Sequence, residues 1–489
     1  MKKIRIAKTL VVLFWAMTLI SCEKDDIEPQ LTVSETEVSF LDEGGTVEIT
    51  ITCSDEWRIN NSASSWLQVS QLTGNSGTTI VQLTTEPNTL GSIRSVILNI
   101  SSPNGQARRV KVSQPYIYTI PSIYPSYNTS PKAPDASGMS SSAVELVAKM
   151  GLGWNIGNTF EAPGGETGWG SPVITEEFIK FVKQQGFNAI RLPCAWDWHH
   201  IENPATALID QNWLNRVKEV VGYCVNNDVY VLLNIHWDGG WLENNVTPNK
   251  KDSVNAKQRA YWEQIATTMR DFDEHLLFAS ANEPNADNAP EMEVLLSYHK
   301  TFIEAVRSTG GRNTYRTLVL QGHDDYIDPD NFPADPTPDR MAFEWHNYTP
   351  SSFTILDNDR VDGGWDDVRF YWSEANHSAI EPGRNCAYGE EAELLQGFNN
   401  IKTKFIDKGI PCLMGEYSSQ RWTATRNKFT PLEMDKHNKS VDDWITFNTK
   451  QCKLIGAVPF FWDTGGALDR SNLTVRDQRT IDALLAGEN

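Results

Sequence analysis

Two glutamates in this chain each follow directly on a short apolar segment. Glu283 stands in FASANEPN at residues 278–285, and Glu416 stands in IPCLMGEY at residues 410–417. A carboxylate in such a place either caps a turn or is a reactive group. A pair of carboxylates can cleave a glycosidic bond, because one protonates the leaving oxygen while the other attacks or stabilises an oxocarbenium-like centre. That chemistry requires a fold that brings the two residues together.

Eight apolar segments with this kind of polar ending recur between residues 140 and 489, and helical patterns separate them. The segments lie at residues 151–158, 188–193, 229–238, 276–283, 316–322, 341–348, 410–417 and 456–463. In the helical pattern ITEEFIKFVKQQG, Thr175 is suited to cap the helix and Gly186 to end it. Strands that alternate with helices over this length predict an α/β fold, a (β/α)8 TIM barrel. A doubly wound open sheet is the alternative, but no glycine-rich phosphate loop supports it.

The carboxyl ends of barrel strands open onto one face, where such enzymes carry their chemistry. The residues at the predicted strand ends are Asn155, Asn158, Arg191, His236, Asn282, Glu283, Gln321, His346, Tyr348, Glu416 and Trp462. Arg191, His346 and Tyr348 can donate hydrogen bonds to one carboxylate and keep it ionised. We expect the other carboxylate, beside an indole and less well paired, to have a raised pKa and to act as the acid. Asn282 is placed to reach a sugar hydroxyl, and Trp462 offers a flat apolar floor for a pyranose ring.

Each of these residues also has an ordinary structural interpretation. Asn282-Glu283-Pro284 alone resembles a turn or a helix start, and His236 and His346 are each compatible with a core position. His199, His200 and His323 suggest metal ligands, but no carboxylate or cysteine spacing supports a site, so we expect no metal and no cofactor. Five tryptophans near the strand ends are candidates for sugar platforms or for loop packing. They are Trp169, Trp241, Trp345, Trp365 and Trp422.

The motifs of residues 140–489 resemble glycoside hydrolase family 5, the cellulase family, in order along the chain. They are RLP at 191–193, NIHWD at 234–238, ANEP at 281–284, WHNY at 345–348, GEY at 415–417 and FFWD at 460–463. The opening GLGWNIGNTFEA is similar to the endoglucanase and xyloglucanase branch of that family. The resemblance implies that Glu283 is the acid/base and Glu416 the nucleophile of a retaining mechanism.

By the same resemblance, a group of residues would line the subsite of the sugar that is attacked. The group consists of Arg191, His236, Asn282, His346, Tyr348 and Trp462, and we add Asn158 as a substrate-binding residue. The chain departs from the family pattern at one position, because many members of the branch carry a second histidine where this chain has Trp237. We therefore assign the reaction more firmly than the substrate.

The chain before the predicted barrel has a different pattern. Residues 30–115 contain short alternating strands with Gly and Asn turns, which predict a small all-β immunoglobulin-like sandwich. The residues Phe40, Gly44, Gly45, Trp57, Trp66 to Ser70, Arg94 and Val112 to Gln114 resemble the BACON domain, which often precedes carbohydrate-active enzymes. The resemblance implies either a glycan-binding module or a spacer. Residues 116–139 are rich in Pro, Ser, Tyr and Asn and predict a semi-extended linker.

The first residues have the character of an export signal. Lys2, Lys3, Arg5 and Lys8 precede an apolar segment from Thr9 to Ile20, which is too short to span a bilayer as a mature helix. LISC follows and resembles a bacterial lipobox, which predicts a signal peptide over residues 1–21 and lipid attachment at Cys22. The acidic residues after Cys22 resemble the export tag of surface lipoproteins in Gram-negative polysaccharide degraders. We therefore expect an outer-membrane anchor with the catalytic domain facing outside.

Composition narrows the function classes further. The chain has 43 basic and 63 acidic residues and a net charge of −20, which argues against a nucleic-acid partner. The cysteines after Cys22 show neither a disulfide framework nor a metal pattern. We expect a monomeric retaining endo-β-1,4-glucanase acting on cellulose-type glucan or xyloglucan. The alternatives are a xyloglucan-specific, mixed-linkage or glucomannan endo-glycanase and, in a different class, a non-catalytic surface glycan-binding protein.

Overall fold

A computed structural model of the protein describes residues 31–488, apart from residues 91, 117–118, 199, 324–326, 360–366 and 423–429. The chain forms two compact units, residues 1–119 and residues 120–489. The predicted signal peptide, Cys22, His199 and Trp365 lie outside the described residues. No helix in the part of the chain that the structure describes is long and apolar enough to span a membrane.

The first unit is a β domain of two sheets. One sheet has the strand order Leu31–Val33, Gly45–Cys53, Gly77–Thr85 and Leu67–Val69, and the other has Glu37–Ser39, Ala107–Gln114, Arg94–Ser101, Trp57–Asn60 and Thr73–Gly74. Alternate residues of the long strands are buried between the sheets, as expected for strands with one solvated face. The alternating pattern of residues 32–40 predicts one strand, but these residues contribute to two strands in different sheets.

The second unit contains a closed barrel of eight parallel strands in chain order, which confirms the predicted fold. The strands are Leu152–Ile156, Phe187–Leu192, Tyr230–Leu233, Leu276–Ala279, Leu318–Gln321, Met341–His346, Cys412–Tyr417 and Val458–Asp463. We call them the first to the eighth strand. Nearly all their residues are buried, because helices cover the outside while side chains fill the interior. Each of the eight predicted segments contains one strand.

Helices connect the strands, and several begin at a residue whose side chain caps them, such as Ser142, Thr175, Asp210 and Asn288. They span Ala143–Lys149, Glu176–Gln184, Gln211–Asn226, Lys251–Met269, Ala289–Ser308, Ser351–Thr354, Glu391–Lys404, Met434–Leu454 and Gln478–Glu488. The Thr175 side chain accepts from the backbone N–H of Phe178, and Gly186 follows the same helix with φ of 103°. Both residues therefore have the roles predicted from the sequence. Two short hairpins pair Ile201–Asn203 with Leu208–Ile209 and Leu468–Asp469 with Thr474–Val475.

The sixth and seventh strands are irregular at their carboxyl ends. The pairing register shifts between Trp345 and His346, and again along the seventh strand after Met414. Such irregularities redirect side chains and are frequent beside active sites. A Cβ atom on Gly415 would lie 2.1 Å from Oε1 of Glu344, so only glycine fits at this position. The glycine of the GEY motif is thus explained by a buried carboxylate on the neighbouring strand.

Residues 120–139, which we call the docked segment, are hydrogen-bonded to the barrel unit. One carboxylate oxygen of Glu263 accepts from the Ser126 hydroxyl at 2.9 Å and from the backbone N–H groups of Tyr127 at 2.6 Å and Asn128 at 3.0 Å. Farther along the segment, the backbone N–H of Glu274 donates to Gly138 O. The composition of residues 116–139 predicts a linker, but most of that stretch belongs to the second unit. The buried Glu263 carboxylate requires donors, and the segment supplies them.

We expect Glu263→Ala to loosen the docked segment, because the substitution leaves three donors without their acceptor. The free energy of unfolding of the barrel unit should fall by about 1–3 kcal/mol. Hydrogen–deuterium exchange at Tyr127 and Asn128 should accelerate, while hydrolytic activity on a glucan at room temperature should stay the same. Glu293→Ala, on the exposed face of the following helix, is the control. Unchanged exchange at Tyr127 and Asn128 would contradict this account.

Candidate active site

The guanidinium of Arg191 is fully buried and connects five barrel strands. From the second strand, its Nη1 donates to Asn155 Oδ1 at 3.1 Å and to Glu416 Oε1 at 2.7 Å, on the first and seventh strands. Its Nη2 donates to Asn282 Oδ1 at 2.6 Å, directly after the fourth strand. Its Nε lies 2.8 Å from Glu344 Oε1 on the sixth strand. Arg191 therefore fixes several predicted site residues at once.

Both carboxylate oxygens of Glu416 are held. Oε1 pairs with Arg191, and Oε2 accepts from the Tyr348 hydroxyl at 2.9 Å. The Glu416 side chain is 7% exposed, which leaves it little freedom to move. A carboxylate oriented by two donors at the end of a barrel strand is well suited to attack a fixed carbon atom.

Glu283 is held differently, because one face of its side chain remains open. Its Oε1 lies 2.7 Å from His346 Nδ1, and its backbone N–H donates to Gln321 Oε1 at 2.8 Å. The side chain is 53% exposed. The backbone of Glu283 has φ of 40°, a strained value that turns the chain sharply at the end of the fourth strand. The strain and Pro284 together direct the Glu283 carboxyl group toward the open cleft.

His346 lies between three carboxylates. Its Nδ1 is 2.7 Å from Glu283 and 3.7 Å from Glu416, and its Nε2 is 3.0 Å from Glu344 Oε1. Burial alone would lower the pKa of His346, but these three negative charges raise it to about 10. The imidazole is therefore protonated at neutral pH and donates from both nitrogens. The atoms of Glu283, His346 and Glu416 are close enough to surround a metal ion, which would have to displace the proton of His346 in order to bind.

The pKa values of the two glutamates shift in opposite directions. Desolvation tends to raise the pKa of Glu283, but the hydrogen bond and charge of His346, with Arg191, bring the pKa below its usual value. Burial raises the pKa of Glu416, and His346, Arg191 and Tyr348 compensate only partly. The prediction of a raised pKa at Glu283 is therefore wrong for the unliganded protein. The reason is that His346 contacts Glu283 more closely than it contacts Glu416.

The two glutamates nevertheless have the spacing of a retaining pair. One oxygen of Glu283 and one of Glu416 lie within 4.8 Å of each other. Retaining glycosidases hold their carboxyl groups about 5–5.5 Å apart, whereas inverting ones leave about 6.5–9.5 Å for a water molecule. The short separation leaves no room for that water between the carboxyl groups. Direct attack by one carboxylate follows from this geometry.

His236 and Trp462 form an aromatic floor beside Glu416. Their rings are stacked, with centroids 5.6 Å apart and planes 13° apart, and His236 Nδ1 lies 4.0 Å from Glu416 Oε1. Burial, and secondarily the charge of Arg191, lower the pKa of His236 well below its usual value, so it stays neutral. Gly157 packs against the indole, since a Cβ atom there would lie 2.8 Å from Trp462. The first strand thus leaves space for the tryptophan of the eighth.

Asn158 lines a cavity of about 210 Å³. Its φ is 57°, its backbone N–H donates to Glu161, and its carbonyl accepts from the Ser171 hydroxyl. Trp169 lines the same cavity and is 49% exposed. Asn158 therefore shares a cavity with Trp169, and its backbone is held by Glu161 and Ser171.

A second cavity, of about 290 Å³, is lined by Glu283. Its lining residues follow the fourth, fifth and sixth strands and include Pro284, Asn285, His323 and Trp345. Because Glu283 itself lines this cavity, a sugar bound there would have its glycosidic oxygen near the Glu283 carboxyl group. The cavity is suited to the sugar that leaves.

The structure also contains site residues that sequence reasoning missed. Glu344 is buried beneath His346 and Arg191, and Glu243 accepts from Asn282 Nδ2 at 3.1 Å and from Trp237 N–H at 2.9 Å. Burial raises the pKa of Glu243 to about 8, so this side chain is protonated at neutral pH. The missed signal for Glu344 was a charged residue inside the apolar segment MAFEWH, two positions before His346 and so on the same strand face.

The remaining histidine and tryptophan candidates differ in their surroundings. His323 lines the second cavity, whereas His200 is buried and stacks on Trp213 at 3.7 Å. Trp169 is exposed, but Trp422 is fully buried in an apolar cluster and is no sugar platform. The cysteines of the described residues are all buried free thiols, in agreement with the lack of a disulfide pattern.

Comparison with known proteins gives this site a family. Residues 155–467 match the model of Cellulase (glycosyl hydrolase family 5), and residues 55–115 match the BACON model, a putative N-terminal binding domain. The chain belongs to glycoside hydrolase family 5. It is 31% identical to the xyloglucan-specific endo-beta-1,4-glucanase BoGH5A of Bacteroides ovatus, over 96% of this chain and 94% of that enzyme. It is also 31% identical to endoglucanase A of Paenibacillus barcinonensis, over 73% of this chain and 93% of that enzyme.

Solved structures agree with this assignment. A Bacteroides ovatus GH5 xyloglucanase in complex with a XXXG heptasaccharide superposes with a TM-score of 0.76 and 30% identity, covering 94% of this chain and 100% of that one. The family 5 protein described here is an endo-β-1,4-glucanase that cleaves with retention through double displacement. Its substrate is a glucan chain or oligosaccharide. The alternative of a non-catalytic glycan-binding protein is therefore set aside.

The His346 contacts predict the direction in which the pH profile should move. His346 lowers the pKa of both Glu283 and Glu416, so His346→Asn should raise both values. If Glu283 must be protonated and Glu416 ionised, both limbs of the profile of kcat/KM should move to higher pH. We expect a movement of about one unit or more, together with a lower maximum.

Tyr348→Phe is the matched control for this experiment. Tyr348 donates to Glu416 and lowers its pKa, but it does not contact Glu283. Because the pKa of Glu416 is raised and that of Glu283 is lowered, Glu416 governs the alkaline limb, so in this variant only the alkaline limb should move to higher pH. If His346→Asn moves either limb to lower pH, the assignment of charges around His346 is wrong.

Proposed function

We propose that Glu416 is the nucleophile and Glu283 the acid/base of this retaining endo-β-1,4-glucanase. Three observations support the roles. Glu416 is buried and oriented by Arg191 and Tyr348, whereas Glu283 is half exposed beside the cavity for the leaving sugar. One oxygen of each lies within 4.8 Å of the other.

In the first step, a Glu416 oxygen attacks the anomeric carbon while the glycosidic carbon–oxygen bond breaks. Glu283 gives its proton to the departing oxygen, and the sugar remains as an ester of Glu416. In the second step, Glu283 takes a proton from water, the water oxygen attacks the anomeric carbon, and the ester bond breaks. Asn282, oriented by Arg191 and Glu243, would hold the neighbouring sugar hydroxyl.

We propose xyloglucan as the preferred substrate. The single observation that carries this proposal is the similarity to xyloglucan-specific endo-beta-1,4-glucanase BoGH5A along nearly the whole chain, the N-terminal domain included. A metagenomic xyloglucan-specific beta-1,4-glucanase solved with XXLG is also 33% identical over 71% of this chain. The separate cavities lined by Glu283 and by Asn158 with Trp169 offer room for a branched chain.

A substrate panel tests this proposal. Reducing-sugar release should be fastest on xyloglucan, slower on barley mixed-linkage glucan and carboxymethyl cellulose, and slowest on glucomannan. Glu416→Ala should lose the activity on every substrate, by a factor of about 10⁴ or more for a covalent nucleophile. Equal rates on xyloglucan and barley glucan would contradict xyloglucan specificity and indicate an enzyme of broad specificity. Activity retained by Glu416→Ala would contradict the nucleophile assignment.

We further propose that the protein is a monomer that is attached to the outer membrane through lipid on Cys22 and faces outside. The support comes from the basic residues, the short apolar segment and the LISC motif at the start of the chain. Such an anchor would favour soluble or loosened polysaccharide over crystalline fibre. Two lipid chains or more are needed for stable anchoring, which the modification of a lipoprotein cysteine would supply.

Substitution of Cys22 separates the anchor from ordinary secretion. In a Gram-negative host, the full chain should fractionate with the outer membrane, incorporate a fatty-acid label and be cleaved by protease added to intact cells. Cys22→Ala should lose the label and leave the membrane fraction. Cys53→Ala removes a thiol of the β domain instead and should keep the label. A wild-type chain without label would refute lipid attachment.

A further inference from the structure

The loop after the third strand is held in an unusual conformation. Four consecutive residues have positive φ: Trp237 at 44°, Asp238 at 54°, Gly239 at 73° and Gly240 at 72°. Glycine adopts such values freely, but tryptophan and aspartate do so at a cost. The ψ of Trp237 is −64°, which places it near a rare and strained turn conformation. Such strain persists only where the surrounding structure enforces it, and it clusters at functional sites.

Two buried carboxyl groups enforce this conformation. Asp238 accepts from the backbone N–H groups of Asp197 and Trp198 and, at 2.8 Å, from Trp241 Nε1. Glu243 accepts from the backbone N–H of Trp237 at 2.9 Å. The loop is therefore attached both to the segment after the second strand and to the Asn282 side of the active site. Its shape is fixed before any substrate binds.

Trp237 and Trp198 together form an exposed aromatic pair, which we call the aromatic corner. The Trp237 side chain is 40% exposed, and its ring meets Trp198 edge to face, with centroids 4.6 Å apart and planes 73° apart. The edge contact fixes the Trp237 ring, so little side-chain entropy remains to be lost when a ligand stacks on it. A fixed, exposed indole at the open face of the barrel is suited to the apolar face of a pyranose ring.

The position of the corner defines which sugar it can reach. The cavity assigned to the leaving sugar is lined by Glu283 and by residues at the ends of the fourth to sixth strands. Trp198 and Trp237 follow the second and third strands, next to His236, which stacks with Trp462 under the attacked sugar. Neither Trp198 nor Trp237 lines the cavity assigned to the leaving sugar, so a ring stacked on Trp237 belongs to another sugar of the chain.

We propose that Trp237, braced by Trp198, is a stacking platform for a sugar ring on the non-reducing side of the cleaved bond. The residue thereby determines how strongly the enzyme selects long glucan chains. The proposal rests on the assignment of Glu283 as the acid/base, which defines the two sides.

Kinetics on chromogenic β-1,4-glucosides of two, three and four glucosyl units test the platform. The kcat/KM of Trp237→Ala should fall about tenfold, chiefly through a higher KM, on every substrate that is long enough to reach the platform. Substrates too short to reach the platform should be hydrolysed with the wild-type kcat/KM. Trp237→Phe should restore most of the loss. Leu454→Ala, an exposed apolar truncation at the opposite end of the barrel, is the control and should change nothing.

Comparing the melting temperatures of two Trp237 variants distinguishes the loss of stacking from damage to the loop. Trp237→Gly relieves the strained φ, so it should melt at a higher temperature than Trp237→Ala while losing the same kcat/KM on long substrates. Identical kinetics of Trp237→Ala and wild type at every length would overturn the proposal. A loss that is equal at all lengths and lies in kcat would also overturn it, because Trp237 would then act through Glu243 and Asn282. The substrates are unbranched, so the result does not depend on xyloglucan preference.

Discussion

The buried guanidinium of Arg191 is the interaction on which the rest of the site depends. It contacts side chains from the first, sixth and seventh strands and Asn282 after the fourth, so one charge sets the relative position of residues far apart in the chain. A lone buried cation would be very costly, and a lone buried Glu344 or Glu416 equally so. The three charges are tolerable only together, and their mutual requirement explains why the barrel closes with this geometry at its carboxyl end.

The second cation, His346, reduces the excess of negative charge in the site and connects the two reactive glutamates. Together with Arg191, it places two positive charges among the negative charges of Glu283, Glu344 and Glu416. Glu243 adds no negative charge, because its raised pKa keeps it protonated. The shift of register just before His346 and the absence of a side chain at Gly415 make room for this arrangement. The irregularities of the strands thus lie where side chains of opposite charge meet.

Much of this architecture could be predicted from the sequence. Apolar segments ending in polar residues predicted every barrel strand, because parallel strands are buried on both faces and their carboxyl ends share one surface. Glu344 and Glu243 were missed, since neither stands at a strand end and their partners come from distant strands. The partner of His346 could not be predicted either, because it depends on a local register shift. The docked segment was predicted as a linker because its composition does not reveal that Glu263 needs its donors.

The unequal exposure of the two glutamates suits them to different parts of the reaction. Glu416, at 7% exposure, changes its surroundings little when sugar binds, whereas Glu283, at 53%, loses water to the incoming chain. Desolvation raises a carboxyl pKa, so substrate itself moves Glu283 toward the protonated form that the first step requires. Once Glu416 carries the sugar as a neutral ester, its negative charge no longer raises the pKa of Glu283, while His346 remains 2.7 Å away. The pKa of Glu283 then falls, and the same carboxyl group becomes the base that the second step requires.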